Sequence, residues 1–332
     1  MLFSPTGIAS PWAESDGILH HVGPEIFGSD IASNLPISRD EAMTIPAVIK
    51  ARNLLVATIA KFPLVALDKS GPLASQPAWL YRQDDDLSTY DRTAATVDDL
   101  FFNGRSLWTT TRGSSGILNA SWIPSDRWHI DGADVVIDGV VADDRDFILF
   151  HIPLFDGVLK HGRRTIRGAR DTELAWVAKM RNPTPVNELR IVDDTNLEQD
   201  EVDELRKKLD QKTAAGESVN MVTPAGVEFN AHGEVDPALY VEGRNAIRTD
   251  IGSFANVSVA MLDGTIGVDS LTYSTKEGEK NKFYEFDLPF WTDPIQAALS
   301  VDKVVPRGQR VRFDMYAAHN MPVPTGVPTE DD

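Results

Sequence analysis

The chain has 332 residues, 42% of them hydrophobic and 25% charged, an ordinary globular composition with room for one large domain or two to three small ones. It has no cysteine, which excludes disulfides and thiolate metal sites, and its formal net charge of −18 argues against a sequence-reading DNA binder, which needs a basic face to neutralise phosphates. No stretch approaches about 18 consecutive apolar residues, and "MLFSPTGIASPWAESDG" lacks a positive start and a long apolar run, so neither a membrane span nor a secretory signal is expected.

Residues 1–40 hold many Gly, Pro and Ser without a clear period and read as a loosely structured arm. In "ISRDEAMTIPAVIKARNLLVATIAKFPLVAL", Ile45, Val48, Ile49, Val56 and Ile59 recur at helical spacing, with Pro46 in the first turn, where its missing N–H costs little. Pro63 ends that helix and "PLVAL" reads as a strand. "AATVDDLFFNGRSLWTTTRG" is a second helix, stopped by Asn103-Gly104, and then a strand; Asn-Gly tolerates the positive φ of a helix exit. From Ile117 to Phe155 the pattern turns to short apolar runs divided by Asp-Gly turn signals, "WHIDGADVVIDG" and "RDFILFHI", which are strands. Ala169 to Met180 is helical, and "NELRIV" is a strand. "NLEQDEVDELRKKLDQ" reads as a helix with capping-box spacing between Asn196 and Gln199, acids first and lysines last. "SVNMVTPAGVEFNA" reads as two strands. Asp236-Pro237 opens another helix that runs to about Phe254. "LTYSTKEGEKNKFYEFDLPFW" is helical in its middle, yet carries Gly278 and Pro289. A proline within a helix removes a backbone bond and bends the axis, so a kink is expected at Pro289, with Phe283, Tyr284, Phe286, Phe290 and Trp291 anchoring it in a core. The last 25 residues, rich in Pro, Gly and Asp, read as a tail.

Acidic runs recur at Asp84-Asp85-Asp86, Asp98-Asp99, Asp143-Asp144 and Asp193-Asp194. Paired carboxylates hold Mg²⁺ in many nucleases and hydrolases, but acids in loops and at element ends more often solvate or cap. His20-His21 has no carboxylate at helical spacing, and no phosphate-binding glycine loop, nucleophile elbow or His-Glu-x-x-His run occurs. No metal, cofactor or catalytic set is therefore expected. Two basic clusters stand out: Arg163, Arg164, Arg167 and Arg170, and Lys303, Arg307, Arg310 and Arg312. Either would touch phosphate, or pair with carboxylates of the same or a neighbouring copy.

Taken in order, several stretches resemble one family, the portal proteins of long-tailed double-stranded DNA bacteriophages. They are "AVIKARNLLVATIAKFPLVAL", "DLFFNGRSLW", "LNASWIPSDRW", "FILFHI", "LEQDEVDELRKKL", "IRTDIGSFANVSVAMLDG" and "TYSTKEGEKNKFYEFDLPFWTDPIQAAL", spanning roughly Ile45 to Leu299. Many relatives carry Pro where this chain has Ser258, and "RRTIRGARDTELAW" fits the start of the family's first stem helix loosely.

The resemblance implies an α+β portal fold: a wing, a two-helix stem with an α+β clip inserted between its helices, a tunnel loop, a long kinked wing helix and little or no crown. The implied boundaries are an arm at 1–40, wing at 41–165, first stem helix at 166–181, clip at 182–235, second stem helix at 236–256, tunnel-loop region at 257–272, kinked helix at 273–305 and tail at 306–332. It implies a ring of identical copies, usually twelve, at one capsid vertex, in the virion and, during assembly, in the host cytoplasm. Genomic DNA would be packaged and ejected through the ring, contacted without sequence preference. The implied partners are the large terminase subunit, then the head–tail adaptor, and the major capsid and scaffold proteins. Asp263, Gly264, Thr265, Ile266, Gly267 and Asp269 would face DNA in the tunnel loop. Glu198, Asp200, Glu201, Asp203 and Glu204 would form the clip surface, and an acidic wall would keep the duplex centred by repulsion. The alternatives are another head–tail connector component or a metal-dependent nuclease or hydrolase.

Overall fold

A computed structural model describes residues 36–83, 87–114, 116–181, 186–191, 203, 204, 207, 227–232, 237–262, 278 and 281–315. The chain divides into two units, one of residues up to Ile166 and from Arg248 onward, the other from Arg167 to Ile247.

In the first unit, α1 (Arg39–Met43) is capped by Ser38, whose hydroxyl accepts from the Glu41 N–H at 3.1 Å. The next helix, α2 (Pro46–Ile59), starts on proline at its first position and buries Ala47, Val48, Ala51, Leu55, Val56 and Ile59. Strand β1 (Leu64–Asp68) lies between β2 (Gly71–Pro72) and the distant β11 (Arg310–Phe313), all antiparallel, with Leu64 opposite Phe313. A short α3 (Ala78–Tyr81) precedes α4 (Thr89–Asn103), which opens on a capping box between Ser88 and Asp91. It closes at Gly104, whose φ of +69° is left-handed and whose missing side chain leaves room for the Phe155 carbonyl.

Helix α4 packs on α2 and on β3 (Arg105–Gly113). Strand β3 is the middle of a three-stranded antiparallel sheet with β4 (Gly116–Ile123) and β8 (Phe147–His151). A smaller sheet, β5 (Trp128–Asp131), β6 (Asp134–Ile137) and β7 (Val140–Val141), shares a core of Leu107, Ile123, Trp128, Val135 and Phe147. After α5 (Val158–His161) comes α6 (Arg163–Arg181). It begins earlier than the sequence pattern from Ala169 suggests, because arginine is a good helix former and the Arg-rich run simply continues the coil, Ile166 N–H donating to Gly162 O at 2.9 Å.

The bend expected at Pro289 takes a specific form. A π-helical turn covers Phe283–Asp287, and α8 (Pro289–Leu299) begins at the proline. Leu288 N–H reaches back five residues to Phe283 O at 2.8 Å. Proline's ring clashes with the carbonyl four residues before it, and the wider turn moves that carbonyl aside. Phe283 and Trp291 are buried, as expected of anchors; Phe286 is not, being 65% exposed, because the extra residue in the turn rotates it to the outer face. Helix α8 packs on β8 and β11, and Pro294 lies inside it.

The second unit holds most of α6, the antiparallel pair β9 (Val186–Ile191) and β10 (Val227–His232), with Val186 opposite His232, and the larger part of α7 (Pro237–Phe254). Within this unit the two helices meet: the Arg244 guanidinium lies 5.8 Å from the Trp176 ring centroid, and a side chain at Gly243 would touch Thr172.

Candidate functional site

The region where α7 ends is built with care. Ala255 N–H donates to Ile251 O at 2.9 Å, Asn256 N–H to Ser253 O at 3.3 Å and Val257 N–H to Gly252 O at 2.8 Å. Asn256 takes a left-handed φ of +50°. This is a Schellman ending, in which asparagine replaces the usual glycine. Gly252 is required for a second reason, since a Cβ there would stand 2.7 Å from Val257 O.

The exit is then locked to the bend. Trp291 is buried, and its indole N–H donates to Ala255 O at 3.0 Å; the Asn256 side-chain amide donates to Asp287 O at 3.1 Å. Trp291 itself sits among Phe101, Phe155 and Phe290, with ring centroids 5.9, 5.7 and 5.2 Å away. A 3₁₀ turn, Val259–Leu262, follows, its last residue buried. The expected tunnel-loop residues Asp263, Gly264, Thr265, Ile266, Gly267 and Asp269 lie outside the described residues. Leu262, directly before them in sequence, is buried in the first unit, as is Phe283 further on.

Of the expected clip surface, Glu198, Asp200 and Glu201 lie outside the described residues, while Asp203 and Glu204 are helical and exposed. The cluster Arg163, Arg164, Arg167 and Arg170 falls on the first turns of α6. Arg163, Arg167 and Arg170 follow helical spacing along one face, with Arg167 only 8% exposed, whereas Arg164 is exposed on another. Arg170 Nε is 3.6 Å from Asp171. In the other basic cluster, Lys303 pairs with Asp144 and Arg307 with Asp302, so both are engaged by carboxylates of the same copy.

The acidic pairs have structural partners. Asp98 is bridged by Arg39, at 3.0 Å, and by Arg52, which ties α1 and α2 to α4. Asp99 is buried, accepts from Trp122 Nε1 at 2.6 Å and Ser106 Oγ at 2.9 Å, and has its pKa pushed up to about 7 by burial, against the lowering effect of those two hydrogen bonds. Asp143 accepts from the Arg145 backbone at 2.9 Å. Asp84-Asp85-Asp86 and Asp193-Asp194 lie outside the described residues. Among the described residues no three His, Asp or Glu side chains gather where they would hold a metal ion, and no helix is long and apolar enough to cross a membrane. A cleft beside β5, lined by Asn103, Arg105, Ser125, Trp128, His129 and Ile130, is too small for an organic substrate.

The fold as a whole matches the portal fold. The chain is similar to an HK97 family phage portal protein from Corynebacterium diphtheriae, at 27% identity and a TM-score of 0.70, over 86% of this chain and 98% of that one. It is similar in fold to chains in the neck of an empty gene transfer agent particle computed with C6 symmetry (16% identity, TM-score 0.56, 84% and 86% covered). The same holds for the neck of the native particle computed with C12 symmetry (14%, 0.55, 86% and 87%). No family model and no curated protein matches the chain by sequence.

Proposed function

We propose that this chain is a portal subunit that assembles into a ring at a capsid vertex, the passage for genomic DNA into and out of the particle. The observation that carries the reading is the likeness to a phage portal protein across nearly its whole length. The neck of the related native particle is computed with C12 symmetry and that of the empty one with C6, and a ring of twelve is compatible with both. The domain plan that follows assigns 41–165 to the wing, 166–181 on α6 and 236–256 on α7 to the stem, and 182–235 to the clip. Residues 257–272 then supply the tunnel loop, and 273–305 the kinked wing helix.

In this role the protein performs no bond chemistry of its own; its work is positional. Each copy adds a formal net charge of −18, so the assembled wall repels phosphate rather than gripping it, and the duplex slides. The acidic helix of the clip, with Asp203 and Glu204 exposed on it, offers a surface for a basic partner, first the packaging motor and then the adaptor. Aligned helices of neighbouring stems would form the channel wall, and the locked exit of α7 would hold the root of each tunnel loop at a fixed radius.

Negative-stain electron microscopy of the purified full chain, with native mass measurement beside it, tests this. Rings with a central hole and a mass of about twelve copies are expected. A chain that stays single at high concentration overturns the reading.

A further inference from the structure

Helix α4 ends on Asn103, Gly104 turns the chain through its left-handed φ, and Arg105 opens β3. That turn, Ser125 between β4 and β5, and the first residues of β5 line the small cleft already described: Asn103, Arg105, Ser125, Trp128, His129 and Ile130. One wall is fixed by the fold, because Trp128 belongs to the core of Leu107, Ile123, Val135 and Phe147. The cleft lies within one copy and needs no neighbour.

Its polar groups are chiefly donors. Trp128 is 8% exposed, and its indole N–H, which can only donate, has no acceptor in the chain. A buried donor without a partner costs free energy that an acceptor would return. Arg105 brings a positive charge. Among the described residues its guanidinium pairs only with Asp156, at 3.9 Å, too long for a hydrogen bond. Asp156 is held instead by Lys160, whose hydrogen bond is the main reason that its pKa lies below the usual carboxylate value. Asn103, Ser125 and His129 add an amide, a hydroxyl and an imidazole, none of them hydrogen-bonded through its side chain to another described residue. No acidic side chain is among the described residues that line the cleft, in a chain whose net charge is −18. An arginine with neutral N–H and O–H donors around it is the donor set that phosphate oxygens take. We propose that this cleft binds one small oxyanion of the phosphate type, with Arg105 supplying the charge and Trp128, Asn103 and Ser125 donating to its oxygens.

Thermal melting of the full chain, titrated with sodium phosphate against sodium chloride at matched ionic strength, tests this. The melting temperature of wild type is expected to rise with phosphate and to give an apparent Kd. Arg105→Gln is expected to weaken that Kd by about ten-fold or more, since a charge-assisted bond is lost. Trp128→Phe keeps the ring in the core and removes only the N–H, and is expected to weaken it by about three-fold. Each variant is read as the rise above its own phosphate-free melting temperature, so a less stable fold does not imitate the effect. Arg307→Gln, which does not line the cleft, should respond as wild type does. No rise in wild type, or an equal rise in Arg105→Gln and Trp128→Phe, overturns the site. The phosphate would be free or carried on a polynucleotide backbone, and a short DNA duplex at equal phosphate concentration separates the two. No response to the duplex assigns the cleft to the free anion; a response that Arg105→Gln abolishes assigns it to the backbone.

Discussion

The two units of this chain are stabilised in different ways. The first has a dense apolar centre: Trp108, Trp291, Phe101, Phe102, Phe150 and Phe283 are all fully buried, and its helices end on caps or locks. In the second, Leu174, Val177 and Val241 stand exposed on α6 and α7, and the contacts between the two helices include Arg244 over Trp176 and Thr172 near Gly243. A helix draws most of its stability from burying an apolar stripe, and among the described residues these three side chains are left uncovered or partly so. On the proposed ring reading, these exposed side chains are the ones that neighbouring copies would cover.

The sharpest way to break that contrast is at Trp291. Removing it opens a cavity among Phe101, Phe155 and Phe290 and leaves the Ala255 carbonyl without its donor. Trp291→Ala is expected to cost about 3–5 kcal/mol, measured by denaturant unfolding of the full chain. A loss under about 1 kcal/mol would mean that the lock between α7 and the bend is incidental.

Asp99 offers the next largest effect. Its pKa is about 7 in the folded chain against 3.8 ordinarily, chiefly because it is buried. Between those values the folded state holds a proton that the unfolded chain has released, so its contribution to stability falls as pH rises through that window and is flat above it. The swing is on the order of a few kcal/mol. Asp99→Asn keeps an acceptor for Trp122 and Ser106 without the charge. Relative to wild type it is expected to gain stability from pH 5 to pH 8, read as the difference between their melting temperatures. Parallel curves would show that Asp99 is ionised in the fold throughout.

Much of the first unit is legible in the sequence because its signals are local. Pro46 marks a helix start, Asn103-Gly104 a helix end, and alternating runs split by Asp-Gly the strands. The pairing of β1 with β11 is not legible, since Leu64 and Phe313 are 249 positions apart and nothing in either stretch names the other. Asn256 could have been read as a left-handed helix ending; its amide bond to the Asp287 carbonyl could not, because that partner is fixed by packing. At Pro289 the sequence shows that a helix must bend but not how, and the π turn that results is what turns Phe286 outward. The residues expected to form the tunnel loop and clip surface, such as Gly264, Gly267 and Glu201, lie outside the described residues. Their reading rests on resemblance.

The smallest expected effect sharpens the comparison most. Leu174, 60% exposed, lies on α6 away from the turns that meet α7, since it is two positions from both Thr172 and Trp176 and two positions on a helix point to nearly opposite sides. Leu174→Ser with Val177→Ser should therefore change the unfolding free energy of a dissociated single copy by no more than about 0.5 kcal/mol, as ordinary surface substitutions do. If these side chains serve contacts between copies, the same variant loses stability only when assembled, and the melting temperature becomes more dependent on protein concentration than wild type. A loss above about 1 kcal/mol in the single copy would show that the second unit closes its own core, and that the two units do not differ in kind.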